Sequence, residues 1–260
     1  MLRLAVATHC FGQPLKSSIR LAAEAGAAGV QLDVRDELPP ADLTDTGRRQ
    51  FLHRLNERGL RIASVTFPLR RPLCDERHLD ARMAALRQAM QFAYDLGAPV
   101  LTTRIGPIPP DAESTGQQLL RELLNDLARH GNQVGTTLAV SPVGEAPAAI
   151  HSLLDSVKAG PIGVDFDPAA FVIGKHSPAQ ALRDLHRFVV HVQARDAVRE
   201  SDGGGLEVPL GRGEVDWVEL LPLLDEIAYR GWVTVVRTQG DDKLGDIASA
   251  IQFLRKVSLG

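Results

Sequence analysis

Between residues 2 and 257 this chain runs one pattern eight times: a short apolar run, a polar or charged residue at its end, then an amphipathic helical stretch. A helix placed between two strands returns the chain to the edge it started from. The strands therefore lie parallel, and eight such units can close a sheet on itself. The expected fold is α/β, a single (β/α)8 barrel over residues 1–260, with strands near 3–8, 29–35, 61–67, 99–105, 136–142, 162–167, 188–195 and 232–237. A length of 260 residues suits it, since such barrels take about 250. Functional groups are then expected where strands end and the following loops begin.

The helical stretches carry their own punctuation. The first covers 16–25 and stops at Gly26, and the second covers 48–58 after the Pro39-Pro40 break. Over 79–96, Met83, Leu86, Met90 and Ala93 share one face at the spacing of a buried stripe, and Gly97 ends the helix. Further helices are expected at 117–129, at 150–157, from the Ser177-Pro178 cap, along DWVELLPLLDEIAYR and over 242–257. Two segments read as loops. LRRPLCDERH, charged and proline-bearing, follows the third strand as a rim or lid element, and the glycine-rich SDGGGLEVPLGRG follows the seventh.

Composition narrows the function classes. With 44% hydrophobic and 23% charged residues, the chain is ordinary for a soluble globular protein. A net charge of −3 leaves no basic footprint, and no stretch is long and apolar enough to span a bilayer. Neither a nucleic-acid nor a membrane partner is expected. The opening MLRLAVATHC begins directly with a strand pattern and lacks the apolar core and cleavage signature of a secretory signal. Cys10 and Cys74 are too few for a zinc cluster and read as packed or idle thiols, so a reducing, cytoplasmic setting is expected.

Side chains alternate faces along a strand. On the seventh strand one series is His191, Gln193 and Arg195. The opposite choice would turn Val190, Val192 and Ala194 inward and press His191 and Arg195 against the helices, which decides the parity. The same choice points Asp165 and Asp167 inward on the sixth strand, Gln31, Asp33 and Arg35 on the second, and Ala139, Ser141 and Val143 on the fifth.

HVQARDA, then PLGRGEVDW, then YRGWVTVVR are similar to the xylose isomerase-like TIM barrels. These form the sugar isomerase and epimerase superfamily, which also includes the endonuclease IV type of DNA-repair enzyme. IGVDFDPAAF looks like that family's sixth strand, and FGQPLKSSIRLAAEAGAAGVQLD like its first two units, so the resemblance covers essentially the whole chain. It implies a divalent cation such as Mn, Mg, Zn or Co. The ligands would be a glutamate ending strand five, an aspartate ending strand six, a histidine on strand seven and a glutamate on strand eight. A hard cation prefers carboxylate oxygens, binds neighbouring sugar oxygens and polarises a carbonyl. In the epimerases the two glutamates commonly double as acid and base. Here those positions fall on Ser141, Asp167, Gln193 and Val236, so only Asp167 keeps the family residue. The histidine that often follows the aspartate by three falls on Ala170, and the neighbour of Val236 is Arg237, a cation. One carboxylate does not hold a catalytic cation tightly, and no metal cofactor is expected.

What remains at the strand ends is polar: His9, Asp33, Arg35, Arg104, Ser141, Asp167, His191, Gln193 and Arg195, with Arg212 on the Gly211-Arg212-Gly213 loop. Bland readings stand beside each. His191 with Asp165 suits a buried hydrogen-bonded pair, and Arg195 with Asp196 an ion pair fixing the loop. Arg35 and Arg104 suit neutralisation of nearby acids, and Glu145 compensation of the fifth helix dipole. Together, guanidinium groups and an amide at an open mouth suit a polyol, carboxylate or phosphate. The expected function is a divergent family member binding a small sugar-like or anionic ligand at the barrel mouth. One alternative is an active sugar isomerase or epimerase with metal and bases rearranged onto Asp165, Asp167, His191, Glu145 or Asp33; Asp167, His191 and Glu145 are its catalytic candidates. A repair endonuclease is disfavoured by the missing ligands and the acidic charge. Oligomeric state stays open, a homodimer included.

Overall fold

The computed structural model describes residues 2–111, 113–200 and 204–258. In chain order the elements are β1 (Leu4–Ala7), α1 (Leu15–Glu24), β2 (Gly29–Asp33), α2 (Asp45–Asn56), β3 (Arg61–Thr66), α3 (Leu79–Asp95), β4 (Val100–Thr103), α4 (Thr115–Val134), β5 (Thr137–Val140), α5 (Pro147–Asp155) and β6 (Ile162–Phe166). Then come α6 (Pro168–Ile173), α7 (Pro178–Leu185), β7 (Val189–Ala194), β8 (Asp196–Arg199), β9 (Gly205–Val208), α8 (Trp217–Glu226), β10 (Val233–Val235) and α9 (Lys243–Val257). Strands β1 to β7 follow one another around a closed parallel barrel, and β10 closes it between β7 and β1. The chain is an eight-stranded (β/α)8 barrel, and each expected strand lies within two residues of an observed one.

Local chemistry explains most element boundaries. Thr44, Ser114, Ser177, Asp216 and Asp242 each accept a backbone N–H in the first turn of α2, α4, α7, α8 and α9. On α3, Met83, Leu86, Met90 and Ala93 are all buried, as their spacing demands. Gly97 follows with φ 73°, a left-handed turn where a side chain would be strained. Leu120, Leu124, Leu127 and Ala128 bury the inner face of α4. No helix among the described residues is long and apolar enough to cross a membrane.

Three expectations need correction. The glycine-rich stretch after β7 is not simply a loop: β8 and β9 pair antiparallel, Asp196 opposite Val208 and Ala197 opposite Glu207. Ser201, Asp202 and Gly203 lie outside the described residues. The sixth unit carries a short α6 before α7, started by Asp167, whose Oδ1 accepts the N–H groups of Ala169 and Ala170. Arg195 and Asp196 are not an ion pair. Asp196 instead accepts backbone N–H groups from Ala197, Gly211, Gly213 and Val215 at 2.8 to 3.1 Å, and these bonds pin the connection from the hairpin to α8.

That pin requires glycine at 213. A methyl group there would sit 2.1 Å from Asp196 Oδ1 and 2.6 Å from the Ala197 carbonyl oxygen, and neither atom has room to retreat. Gly213→Ala is expected to cost about 1–3 kcal/mol by overpacking, read as a lowered denaturant midpoint. An unchanged midpoint would mean that the connection is not held by Asp196.

Candidate ligand-binding site at the barrel mouth

The interior of the barrel is polar. Asp165, fully buried on β6, accepts from three sides. His191 Nδ1 lies 2.7 Å from Oδ1, Ser141 Oγ donates to Oδ2 at 2.7 Å, and Gln193 Nε2 donates to the same oxygen. On its other side His191 Nε2 lies 2.8 Å from Thr234 Oγ1 and 3.0 Å from Ser64 Oγ, which also receives Gln31 Nε2 at 2.9 Å. Burial alone would push the Asp165 carboxyl up, but the His191 charge and the bonds from His191, Ser141 and Gln193 outweigh it and hold it below the usual carboxylate range. The strand parity read from the sequence is correct, and His191 with Asp165 forms a closed structural pair.

One layer further out, charge replaces hydrogen bonding. Arg195 directs one guanidinium nitrogen to Asp167 Oδ2, while its Nε and second terminal nitrogen meet Glu207 Oε2 at 3.2 and 2.9 Å. Both carboxylates are almost wholly buried. Asp167, opposed by burial and reinforced by Glu207, holds the Arg195 guanidinium firmly protonated. Glu207 also accepts Thr238 Oγ1 at 2.8 Å, the Thr238 and Gln239 N–H groups, and Arg237 Nη1 at 3.3 Å. Burial opposes its ionisation, yet Arg195 and these bonds keep its carboxyl below the ordinary value.

At the open rim, His9 stands beside Asp33, Arg104, Arg195 and Lys243. Burial lowers its pKa first, Asp33 resists, and Lys243, Arg104 and Arg195 lower it further, which favours the neutral ring. The side chains of Arg104 and Lys243 make no hydrogen bond or ion pair among the described residues. Asp33 Oδ1 accepts the N–H groups of Arg35 and Asp36 at 2.8 and 3.0 Å. Close by, Glu37 Oε2 lies 2.5 Å from Thr8 Oγ1, which also sits 3.0 Å from the Gln31 carbonyl. A single hydroxyl proton does not serve two acceptors. Burial, outweighing the bonds from Thr8 and the Asp33 N–H, raises the Glu37 pKa.

The model of the xylose isomerase-like TIM barrel family matches residues 19–257. The chain belongs to that family. Its fold is similar to that of a xylose isomerase domain protein from Planctomyces limnophilus, with TM-score 0.88, 23% identity, and 98% of this chain and 97% of that one covered. A family protein from Mycobacterium smegmatis in complex with magnesium gives TM-score 0.76 at 18% identity, covering 93% and 87%. A D-psicose 3-epimerase from Clostridium cellulolyticum H10, solved with D-tagatose, gives 0.79 at 16%, covering 99% of both chains. At these identities the likeness is one of fold. No curated protein matches the chain by sequence.

The donor set does not fit the divalent cation that the xylose isomerase-like family implies. Ser141 and Gln193 spend their polar groups on Asp165, Val236 is apolar and buried, and both oxygens of Asp167 are engaged, one by the α6 cap and one by Arg195. Among the described residues no group of three or more His, Cys, Asp or Glu side chains is arranged to hold a metal ion.

Several sequence candidates lie elsewhere. Arg35 turns from the mouth: its Nη1 donates to the Pro68 carbonyl at 2.7 Å and its guanidinium lies 5.3 Å from the Phe67 ring centre. Val143 is exposed rather than inward, and Glu145 accepts the Val143 N–H at 2.7 Å, stapling its own loop. Arg212 is exposed, and no side-chain hydrogen bond or ion pair among the described residues joins it to the mouth. Cys10 is buried, accepts the Arg237 N–H at 3.3 Å, and burial pushes its thiol up to about 12, which leaves it protonated and unreactive. Glu207, Lys243 and Glu37 were missed. Of these only Lys243 left a sequence signal, a lysine opening a helix where the macrodipole disfavours a cation.

The lowered Asp165 and Glu207 values each contribute to the pH dependence of folding. The unfolded chain binds protons on these groups more readily than the folded one. Their stabilisation is complete at neutral pH and is lost as the pH falls through the unfolded range, about 4, toward the lower folded values. Denaturant midpoints should fall steeply below that range. Asp165→Asn should cost about 3 kcal/mol at neutral pH by breaking a buried pair and should flatten the acid limb. An acid limb unchanged in the variant would remove Asp165 from this role.

Proposed function

We propose that this family member binds a small, anionic, sugar-like molecule at the barrel mouth without a divalent cation. The observation that carries the reading is the Arg195 guanidinium set between Asp167 and Glu207. A fixed monocation neutralises the carboxylates that a bound cation would otherwise need, and it belongs to the chain itself. Arg104 and Lys243 supply further positive charge at the rim, and Lys243 stands as the first residue of α9, beside the positive helix end. An anion relieves that repulsion. His9 and the Asp33 oxygen not engaged by backbone N–H groups suit hydroxyl groups. The sugar epimerases among the similar folds support a polyol skeleton. Nucleic acid and membranes are not part of this reading.

A second reading, isomerase or epimerase chemistry with rearranged acid and base, is favoured by one observation. The Glu37 carboxyl, whose pKa burial raises, accepts the Asp33 N–H at the same rim, and a carboxyl with raised proton affinity is a recurrent acid–base candidate. Of the residues first considered for it, Asp165, Asp167, His191 and Glu145 are held in other bonds, and Asp33 remains at the rim.

Calorimetric titration with sugars, sugar acids and sugar phosphates, in the presence of EDTA, tests the first reading. The charged compounds should bind, and Arg104→Ala and Lys243→Ala should each weaken them about tenfold, the loss of one charge-assisted contact of roughly 1.4 kcal/mol. Binding that requires added manganese, or that neither substitution alters, would overturn it. Arg195→Ala should raise manganese affinity by freeing Asp167 and Glu207, whereas Ser141→Glu with Gln193→His and Val236→Glu should gain little while Arg195 remains. Exchange of substrate C–H for solvent deuterium, abolished by Glu37→Gln, would instead establish the second reading.

A further inference from the structure

We infer that the groove between the end of β3 and the start of α3 is a second anion-binding site, separate from the mouth, which takes a phosphate- or carboxylate-bearing molecule. It is a cavity of about 320 Å³ whose walls include Arg35, Arg70, Arg71, Arg77 and Arg82 around Phe67. The charge-bearing loop 68–78 supplies half of its lining, in a chain whose net charge is −3.

Hydrogen bonding and charge part company here. Arg82 donates to the carbonyl oxygens of Asp75 at 2.6 and 2.9 Å, of Arg77 at 2.9 Å and of Leu73 at 3.5 Å. Arg35 donates to the Pro68 carbonyl. Carbonyls satisfy N–H groups and fix the guanidinium planes, but they cancel no net charge. The Arg77 guanidinium makes no hydrogen bond or ion pair among the described residues. Among the described residues, Arg35, Arg77 and Arg82 therefore stand along one groove with no carboxylate in ion-pair contact.

The nearby acids offset only part of this charge, at Arg70 and Arg71. Asp75 accepts the Arg77 N–H and meets Arg71 at 3.3 Å, and these contacts hold its carboxyl below the ordinary range. Asp36 lies 3.7 Å from Arg70 with both side chains largely exposed, a weak pairing. The N-terminus of the 17-residue helix α3 opens beside the same groove, and His78 at its cap makes no side-chain capping bond. Its positive end adds to the arginines. Like charges held this close repel unless a counter-ion joins them. Planar forks already oriented by carbonyls and by the Phe67 face lose little freedom in gripping an oxyanion.

Calorimetry with inorganic phosphate, pyrophosphate and citrate at low ionic strength tests the inference, the first two probing phosphate and the third carboxylate. At least one should bind. Arg77→Gln and Arg35→Gln, which leave the Arg82 bonds that knit the loop intact, should each weaken binding tenfold or more. Arg230→Gln, on the opposite end of the barrel, should not. Binding that survives in the double variant Arg104→Ala, Lys243→Ala belongs to the groove and stands whether or not the mouth binds its own ligand. Absence of binding by all three anions, equal weakening by Arg230→Gln, or loss only in the double mouth variant would overturn the proposal.

Discussion

A carboxylate with no access to water must be compensated at once, and in this barrel that requirement falls on Asp165. Three donors reach it, from β7 through His191 and Gln193 and from the end of β5 through Ser141. His191 then passes the requirement outward to Thr234 on β10 and Ser64 on β3, and Ser64 to Gln31 on β2. Barrel interiors are ordinarily filled by layers of branched apolar side chains. Here a hydrogen-bonded lattice takes part of that volume and fixes the register of strands distant in sequence. Half-satisfied, such a lattice would be worse than an apolar core. Every polar side chain in it has a partner, so the inner face of the barrel is rigid where the mouth begins.

That rigidity bears on the outer layer. Gln193 and Ser141 occupy two positions where the xylose isomerase-like family places metal ligands, and both are bound to Asp165. A third position, Val236, is buried with no donor at all. Asp167 is then left with a charge, and Arg195, two residues along β7 from Gln193, answers it together with Glu207 from the hairpin. The exchange is coherent in charge: carboxylates remain, and a covalently tethered cation stands among them. It is not equivalent in chemistry. A guanidinium donates hydrogen bonds in a plane but has no open coordination position with which to polarise a carbonyl.

The sequence made some of this legible and hid the rest for identifiable reasons. The eightfold alternation located every barrel strand, because burial on both faces leaves apolar runs that turn residues interrupt. Inward parity on β7 followed from the cost of pressing His191 and Arg195 against helices. Alternation fails where a strand ends, and Arg35 illustrates it: Asp33 Oδ1 captures the N–H groups of Arg35 and Asp36, the chain turns, and the arginine leaves the inward series. Val143 fails in the same way beyond β5. Glu207 could not be placed by periodicity, since its role depends on the β8–β9 pairing and on contacts to residues thirty positions away.

The hairpin sets how charge is shared across the mouth. Its position is fixed from below by Asp196, which binds the backbone on both sides of Arg212, and Gly205 packs against Ile173 of α6. Glu207 is thereby carried over the strand ends, where it gathers Arg195, Arg237, Thr238 and the Gln239 N–H. Those groups seal one side of the opening between β7 and β10. The other side, around His9, Asp33, Arg104 and Lys243, is left with two cations whose side chains make no hydrogen bond or ion pair among the described residues. Charge balance thus divides the mouth into a satisfied half and an unsatisfied half. An anion would gain most on the side where compensation is missing, at the β1, β2 and β4 ends rather than beside Asp167.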